Sequence, residues 1–158
     1  MKSEHLNILQ GLIGLNTKLV HEYLVKRGLT GSRFNGRSRG TSVENSIAFL
    51  ISENLPGRQR GSDFTDFEVK TIQVKYTKTG LLRTCGDTAI STLGKSETDF
   101  ESSNTWCKLK SIISVLVYDD VIIDILYFSG DWYKAQLKRD YVNLLKGENN
   151  HFRRDGKT

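Results

Sequence analysis

Asp63, Glu68 and Lys70 are the residues whose types and spacing could do chemistry, within the run Asp63-Phe-Thr-Asp-Phe-Glu68-Val-Lys70-Thr. In an extended strand successive side chains alternate faces, so Glu68 and Lys70 point to one side. That side continues with Ile72, Val74 and Tyr76, which are core-type residues. An unpaired Glu and Lys there would cost several kcal/mol, roughly, so they belong at an exposed strand end or in a polar pocket. Asp63 lies five residues upstream of Glu68, where a turn would swing it back beside that carboxylate. Two carboxylates and the backbone carbonyl of Val69 offer a divalent cation such as Mg²⁺ the hard oxygen ligands it prefers. A lysine beside them could orient or deprotonate a metal-bound water, or stabilise charge developing at phosphorus. This is minimal equipment for hydrolysing a phosphodiester. An E-x-K on a strand is also a common cross-strand salt pair, so the surroundings decide between the two.

Those surroundings change period along the chain. Leu6, Leu9, Leu12 and Ile13 recur at helical spacing, and Leu19, Val20, Tyr23 and Leu24 resume it after a break at Gly14-Leu15-Asn16. Gly28 is a helix stop, and residues 30–40 have loop composition. Thr41 or Ser42 is expected to cap a helix carrying Val43, Ile47, Leu50 and Ile51, which Pro56-Gly57 ends. Thr41-x-x-Glu44 reads as its capping box. Residues 63–76 switch to a period of two. Ser111–Tyr118 and Val121–Phe128 are β-rich and separated by Asp119-Asp120, a hairpin signal without the usual glycine. A last helix runs from Trp132 to Lys146 after a turn at Ser129-Gly130. The expected class is α/β, a mixed β-sheet flanked by helices in a single domain over 1–158.

The composition is that of a chain able to build a core: 158 residues, 37% hydrophobic and 26% charged. Two cysteines, Cys85 and Cys107, make no disulfide framework and no C-x-x-C pair. His5, His21 and His151 show no ligand spacing, which argues against a histidine-metal nuclease. With no run of ~18 apolar residues and no leader-like start, a cytoplasmic, nucleoid-associated location and no membrane partner are expected. The net charge of +5 resides between Lys26 and Arg60, where Lys26, Arg27, Arg33, Arg37, Arg39, Arg58 and Arg60 face only Glu44 and Glu53. A second basic bias includes Arg153 and Arg154. Guanidinium-rich, glycine-rich stretches suit a polyanion. A solvated loop has the same composition.

The run Gly61-Ser62-Asp63-Phe64 followed by Phe67-Glu68-Val69-Lys70-Thr71-Ile72 resembles the active-site strand of the MutH-like mismatch-repair nicking endonucleases. Their GATC-cutting restriction relatives share it, within the PD-(D/E)xK restriction-endonuclease-like superfamily. The gap from Asp to Glu is shorter here, and Gln73 stands where the family has proline. A second stretch, Phe100-Glu101-Ser102-Ser103-Asn104-Thr105-Trp106-Cys107-Lys108-Leu109-Lys110, is similar to the family's W-E-[ST]-S-x-x-x-x-K-[LM]-K block and also precedes an apolar strand. Gly40…Glu44 matches the end of a third element, K-G-x-x-G-x-x-x-E, without its leading Lys-Gly.

The resemblance spans about residues 35 to 155. It implies a restriction-endonuclease-like fold and a Mg²⁺-dependent endonuclease acting on double-stranded DNA at GATC or a related short site. By residue it implies Asp63 and Glu68 as metal carboxylates with the Val69 carbonyl, Lys70 as catalytic lysine, Lys108 as second lysine and Glu44 as a helix-borne carboxylate. Arg37, Arg39, Arg58, Arg60, Arg153 and Arg154 are the expected DNA contacts. Glu101 and Ser102 match a block near the DNA and receive no chemistry. The sequence stops at Thr158, short of the family's further recognition strands, so a reduced or C-terminally truncated relative is one reading. The alternative function is a DNA-binding module of the same fold without catalysis. Monomer and homodimer are both open, and mismatch-repair partner proteins follow from the family alone.

Overall fold

A computed structural model describes residues 3–51, 63–64, 66–85, 106 and 110–145. In chain order the elements are α1 (Ser3–Gln10), α2 (Thr17–Lys26), α3 (Gly36–Ile51), β1 (Glu68–Tyr76), β2 (Leu82–Thr84), β3 (Ser111–Tyr118), β4 (Val121–Ser129) and α4 (Gly130–Leu145). The strands form one mixed sheet ordered β2-β1-β3-β4. β1 runs parallel to β3, and both β2 on β1 and β4 on β3 are antiparallel. An α/β mixed sheet with helices is therefore what the sequence forms.

Local chemistry explains the helix ends. The Asn16 side chain accepts from the backbone N–H of Lys18 and Leu19 at 3.0 and 3.2 Å, starting α2. At its other end Gly28 takes φ +67°, with Gly28 N–H on Val25 and Leu29 N–H on Leu24, a Schellman closure. α3 starts earlier than Thr41. Asn35 Oδ1 accepts from Arg37 and Ser38 N–H at 3.0 and 3.1 Å, while Asn35 N–H donates to Ser38 Oγ at 2.7 Å. That reciprocal pair is the capping box, so residues 36–40 are helix and not loop. Thr41 and Ser42 instead donate back to the Arg37 and Ser38 carbonyls, and Glu44 lies inside the helix, away from its N-terminus.

Asp119 and Asp120 do turn the β3–β4 hairpin, at φ 47° and 64°. Positive φ at both central positions is what a two-residue type I′ turn requires. The Asp120 carbonyl accepts from Thr17 N–H and Oγ1 at 2.7 and 2.8 Å, and Arg39 Nη2 meets the Asp120 carboxylate at 2.8 Å. Gly14 N–H and the Leu15 carbonyl both bond Ile122, so the segment between α1 and α2 locks onto the hairpin. For the Arg39–Asp120 pair, side chains 12% and 29% exposed, a double-mutant cycle with alanine in urea denaturation is expected to give a coupling of roughly 1–2 kcal/mol. A coupling near zero would make the pair incidental.

The core lies on one face of the sheet. Leu9 and Leu12, then Val43 and Ile47 of α3, pack with Phe64, Phe67, Val69, Ile113, Val115 and Ile125. Every residue of β3 from Ser111 to Val117 is buried, which fits a central strand covered on both faces. β2 is short, exposed and was not foreseen; the Thr77–Gly80 turn returns the chain to pair Val74–Tyr76 with Leu82–Thr84.

Candidate active site

The carboxylates meet at the entrance of β1. Glu68 lies opposite Ile112 and Lys70 opposite Ser114 in the parallel register, so both project from one face, opposite to Val69 and Ile113. Glu68 is completely buried, although it opens the strand. Lys70 Nζ donates to Glu68 Oε1 at 2.7 Å, its side chain 19% exposed. The pair is therefore buried and internally bonded, not at an exposed strand end.

The turn before β1 brings Asp63 back as its spacing suggested. Asp63 N–H donates to Glu68 Oε2 at 3.0 Å, and Val69 N–H donates to Asp63 Oδ2 at 2.9 Å. Each carboxylate thus accepts the backbone N–H of the other's segment. Phe64 N–H closes the turn on the Phe67 carbonyl at 3.0 Å, and the two buried rings stack at 4.9 Å. Both phenylalanines stand in the matched run, but the sequence alone assigns them no role. They lie three apart on either side of Asp66, which is exposed.

Among the described residues no group of three or more His, Cys, Asp or Glu side chains is placed to hold a metal ion, and Glu68 Oε1 and Oε2 and Asp63 Oδ2 all accept hydrogen bonds. Asp63 Oδ1 accepts no hydrogen bond among the described residues. The N–H and C=O of an extended residue leave by the same strand edge. Because Val69 N–H is directed to Asp63, its carbonyl opens on that edge as well. β2 pairs only with Val74–Tyr76, so it does not cover this part of β1.

Other expected residues are placed differently. Glu44 sits half-buried on α3, whose Val43 and Ile47 pack on the sheet face opposite to Glu68 and Lys70. Arg39 is tied to Asp120 and stacked over Phe34 at 4.9 Å, so it anchors α3 to the hairpin. Arg37 is exposed. Both arginines lie at the hairpin end, a β3 length from Ile112, or about 20 Å at roughly 3.3 Å per residue. Sequence order had set them next to the acids. Lys108, Arg58, Arg60, Arg153 and Arg154, like Glu101 and Ser102, lie outside the described residues.

Two features frame the acid end of the sheet. Phe128, in the same row as Ile112 and Glu68, meets the rings of Trp132 and Tyr133 at 6.4 and 5.8 Å. Burial pushes the Tyr133 phenol above its ordinary value. Trp106, from the second sequence block, lies under the Lys134 ammonium of α4 at 5.1 Å. No family model and no curated protein matches the chain. No helix among the described residues is long and apolar enough to cross a membrane.

Proposed function

We propose that the chain is a metal-dependent endodeoxyribonuclease with a restriction-endonuclease-like fold, cutting phosphodiester bonds in double-stranded DNA. The observation that carries this reading is the reciprocal lock of Asp63 and Glu68, with Lys70 Nζ 2.7 Å from the shared carboxylate. A purely structural ion pair has no need of the second carboxylate or of the backbone lock that fixes it.

Asp63, Glu68 and the Val69 carbonyl would hold Mg²⁺, which supplies Lewis-acid polarisation of a phosphoryl oxygen and acidifies a water. The protein's own part is preorganisation: both carboxylates are aimed before any substrate arrives. Lys70 keeps a positive charge at the rim of the buried carboxylate, where the non-bridging oxygens of a phosphate would come to rest. Its ammonium can hold a nucleophilic water in line by hydrogen bonding. The resemblance to MutH-like enzymes supports a short recognition site of the GATC type and action in the cytoplasm on nucleoid DNA.

The test is incubation of supercoiled plasmid, methylated and unmethylated, with the protein and Mg²⁺ or EDTA. Nicked or linear product is expected with Mg²⁺ only, and Asp63→Asn should abolish it. Nicked circles indicate one cut per encounter, linear product paired cuts by a homodimer. Cleavage that persists in Asp63→Asn would remove the site assignment. Absence of cleavage on either plasmid, with DNA affinity retained, would favour a non-catalytic binding module.

A further inference from the structure

We infer that α2, the loop after it and the first turn of α3 form a second nucleic-acid surface, a phosphate-binding ridge starting at the hairpin end of the sheet. It rests on the reading of the chain as a DNA-acting protein and specifies where the backbone of a duplex is held away from the acids. Lys18, Lys26, Arg27, Arg33 and Arg37 are all exposed, against the single exposed carboxylate Glu22 in the same stretch. None of the five forms an ion pair among the described residues. Arg39, the sixth cation, is neutralised by Asp120 and serves the scaffold.

The ridge is built, not frayed. Leu29 N–H bonds the Leu24 carbonyl, and the His21 ring contacts the Ser32 carbonyl at 3.3 Å and the Phe34 ring at 5.2 Å. The loop therefore folds back along α2, and Asn35 passes it into α3. The ten residues of α2 span about 15 Å, so these cations are spread over a length that meets several successive phosphates. Three of the five are arginines, whose planar forks match phosphate oxygens. Arg27 is already stacked on Tyr23 at 5.0 Å, which limits the side-chain freedom lost on binding. Leu19, Tyr23 and Leu29 are exposed on the same ridge, which an anionic bilayer would also use. An interfacial helix, however, needs its apolar face free, and α2 buries Thr17, His21 and Leu24 inward.

The test is fluorescence anisotropy with a labelled 24-base-pair duplex, in EDTA, from about 50 to 200 mM salt. Each cation bound to phosphate steepens the fall of log K with log salt by about 0.9. The variant Arg27→Ala/Arg33→Ala/Arg37→Ala should flatten that slope by about two to three and weaken binding at least about tenfold at low salt. Arg33→Lys/Arg37→Lys should keep the slope, and circular dichroism should show all variants folded. An unchanged slope in the triple-alanine variant overturns the ridge. So does loss of binding only to phosphatidylserine vesicles, which would make the ligand a membrane. Plasmid cleavage with Mg²⁺, assayed beside the metal-free slope, separates the two readings. A slope that needs the arginines without any plasmid cleavage keeps the ridge and sinks the nuclease. Lys70-dependent cleavage with an unchanged slope does the reverse.

Discussion

Lys70→Ala is expected to slow Mg²⁺-dependent plasmid cleavage by roughly 10²–10⁴-fold, the range for removing a positioned proton-transfer group. The ammonium is 2.7 Å from Glu68 Oε1, and Glu68 is fully buried, so the same substitution also removes a charged partner of a buried carboxylate. Breaking a buried pair from one side costs about 3–5 kcal/mol. Activity must therefore be read beside stability. Lys70→Gln keeps a donor for Glu68 and should recover much of the stability in urea denaturation while recovering little cleavage. The paired variant Glu68→Gln/Lys70→Met should be close to neutral for stability, since replacing both members of a buried pair often is. It should still be catalytically dead. Single-turnover nicking by Lys70→Gln at the wild-type rate would mean that the charge at Nζ has no part in the chemistry.

The acid pair was legible because its signal is local. Strand alternation alone places Glu68 and Lys70 on one face, and the register opposite Ile112 and Ser114 bears that out. The five-residue interval to Asp63 allowed a turn, and the turn exists. Gly28, the break at Asn16 and the Asp119-Asp120 hairpin were readable for the same reason, since each is decided by a few neighbouring residues. The start of α3 was misread because two capping signals lie six residues apart. Asn35 with Ser38 wins over Thr41 with Glu44, and the helix continues through Gly40.

What the sequence could not show is tertiary. No local pattern announces that Arg39 will be spent on Asp120, or that α3 packs behind the face bearing the acids. Charge counted along the chain put the arginines beside the carboxylates, whereas the fold separates Arg37 and Arg39 from them by the length of a strand. Proximity in sequence was a poor guide because α3 runs the length of the sheet between the two.

The stacked phenylalanines supply the other large effect. Phe67 is fully buried and Phe64 2% exposed, and both belong to the core cluster with Val69 and Ile113. Phe67→Ala is expected to cost about 3–5 kcal/mol, lost transfer energy plus the cavity left behind. For a chain of this size that lowers the melting temperature by roughly 6–20 °C. The loss should not stop at stability. Without the ring against Phe64, the turn loses its stacked apolar brace, and the Asp63 carboxylate is less firmly held on Val69 N–H. Cleavage measured well below the melting temperature should therefore fall together with Mg²⁺ affinity, even though neither ring touches a ligand oxygen. Phe67→Leu fills more of the cavity and should lose less of both. A Phe67→Ala protein that loses several kcal/mol yet keeps wild-type Mg²⁺ dependence would show that the backbone lock alone orients Asp63. A loss below about 1 kcal/mol would mean that the site collapses around the missing ring and that the stack is dispensable.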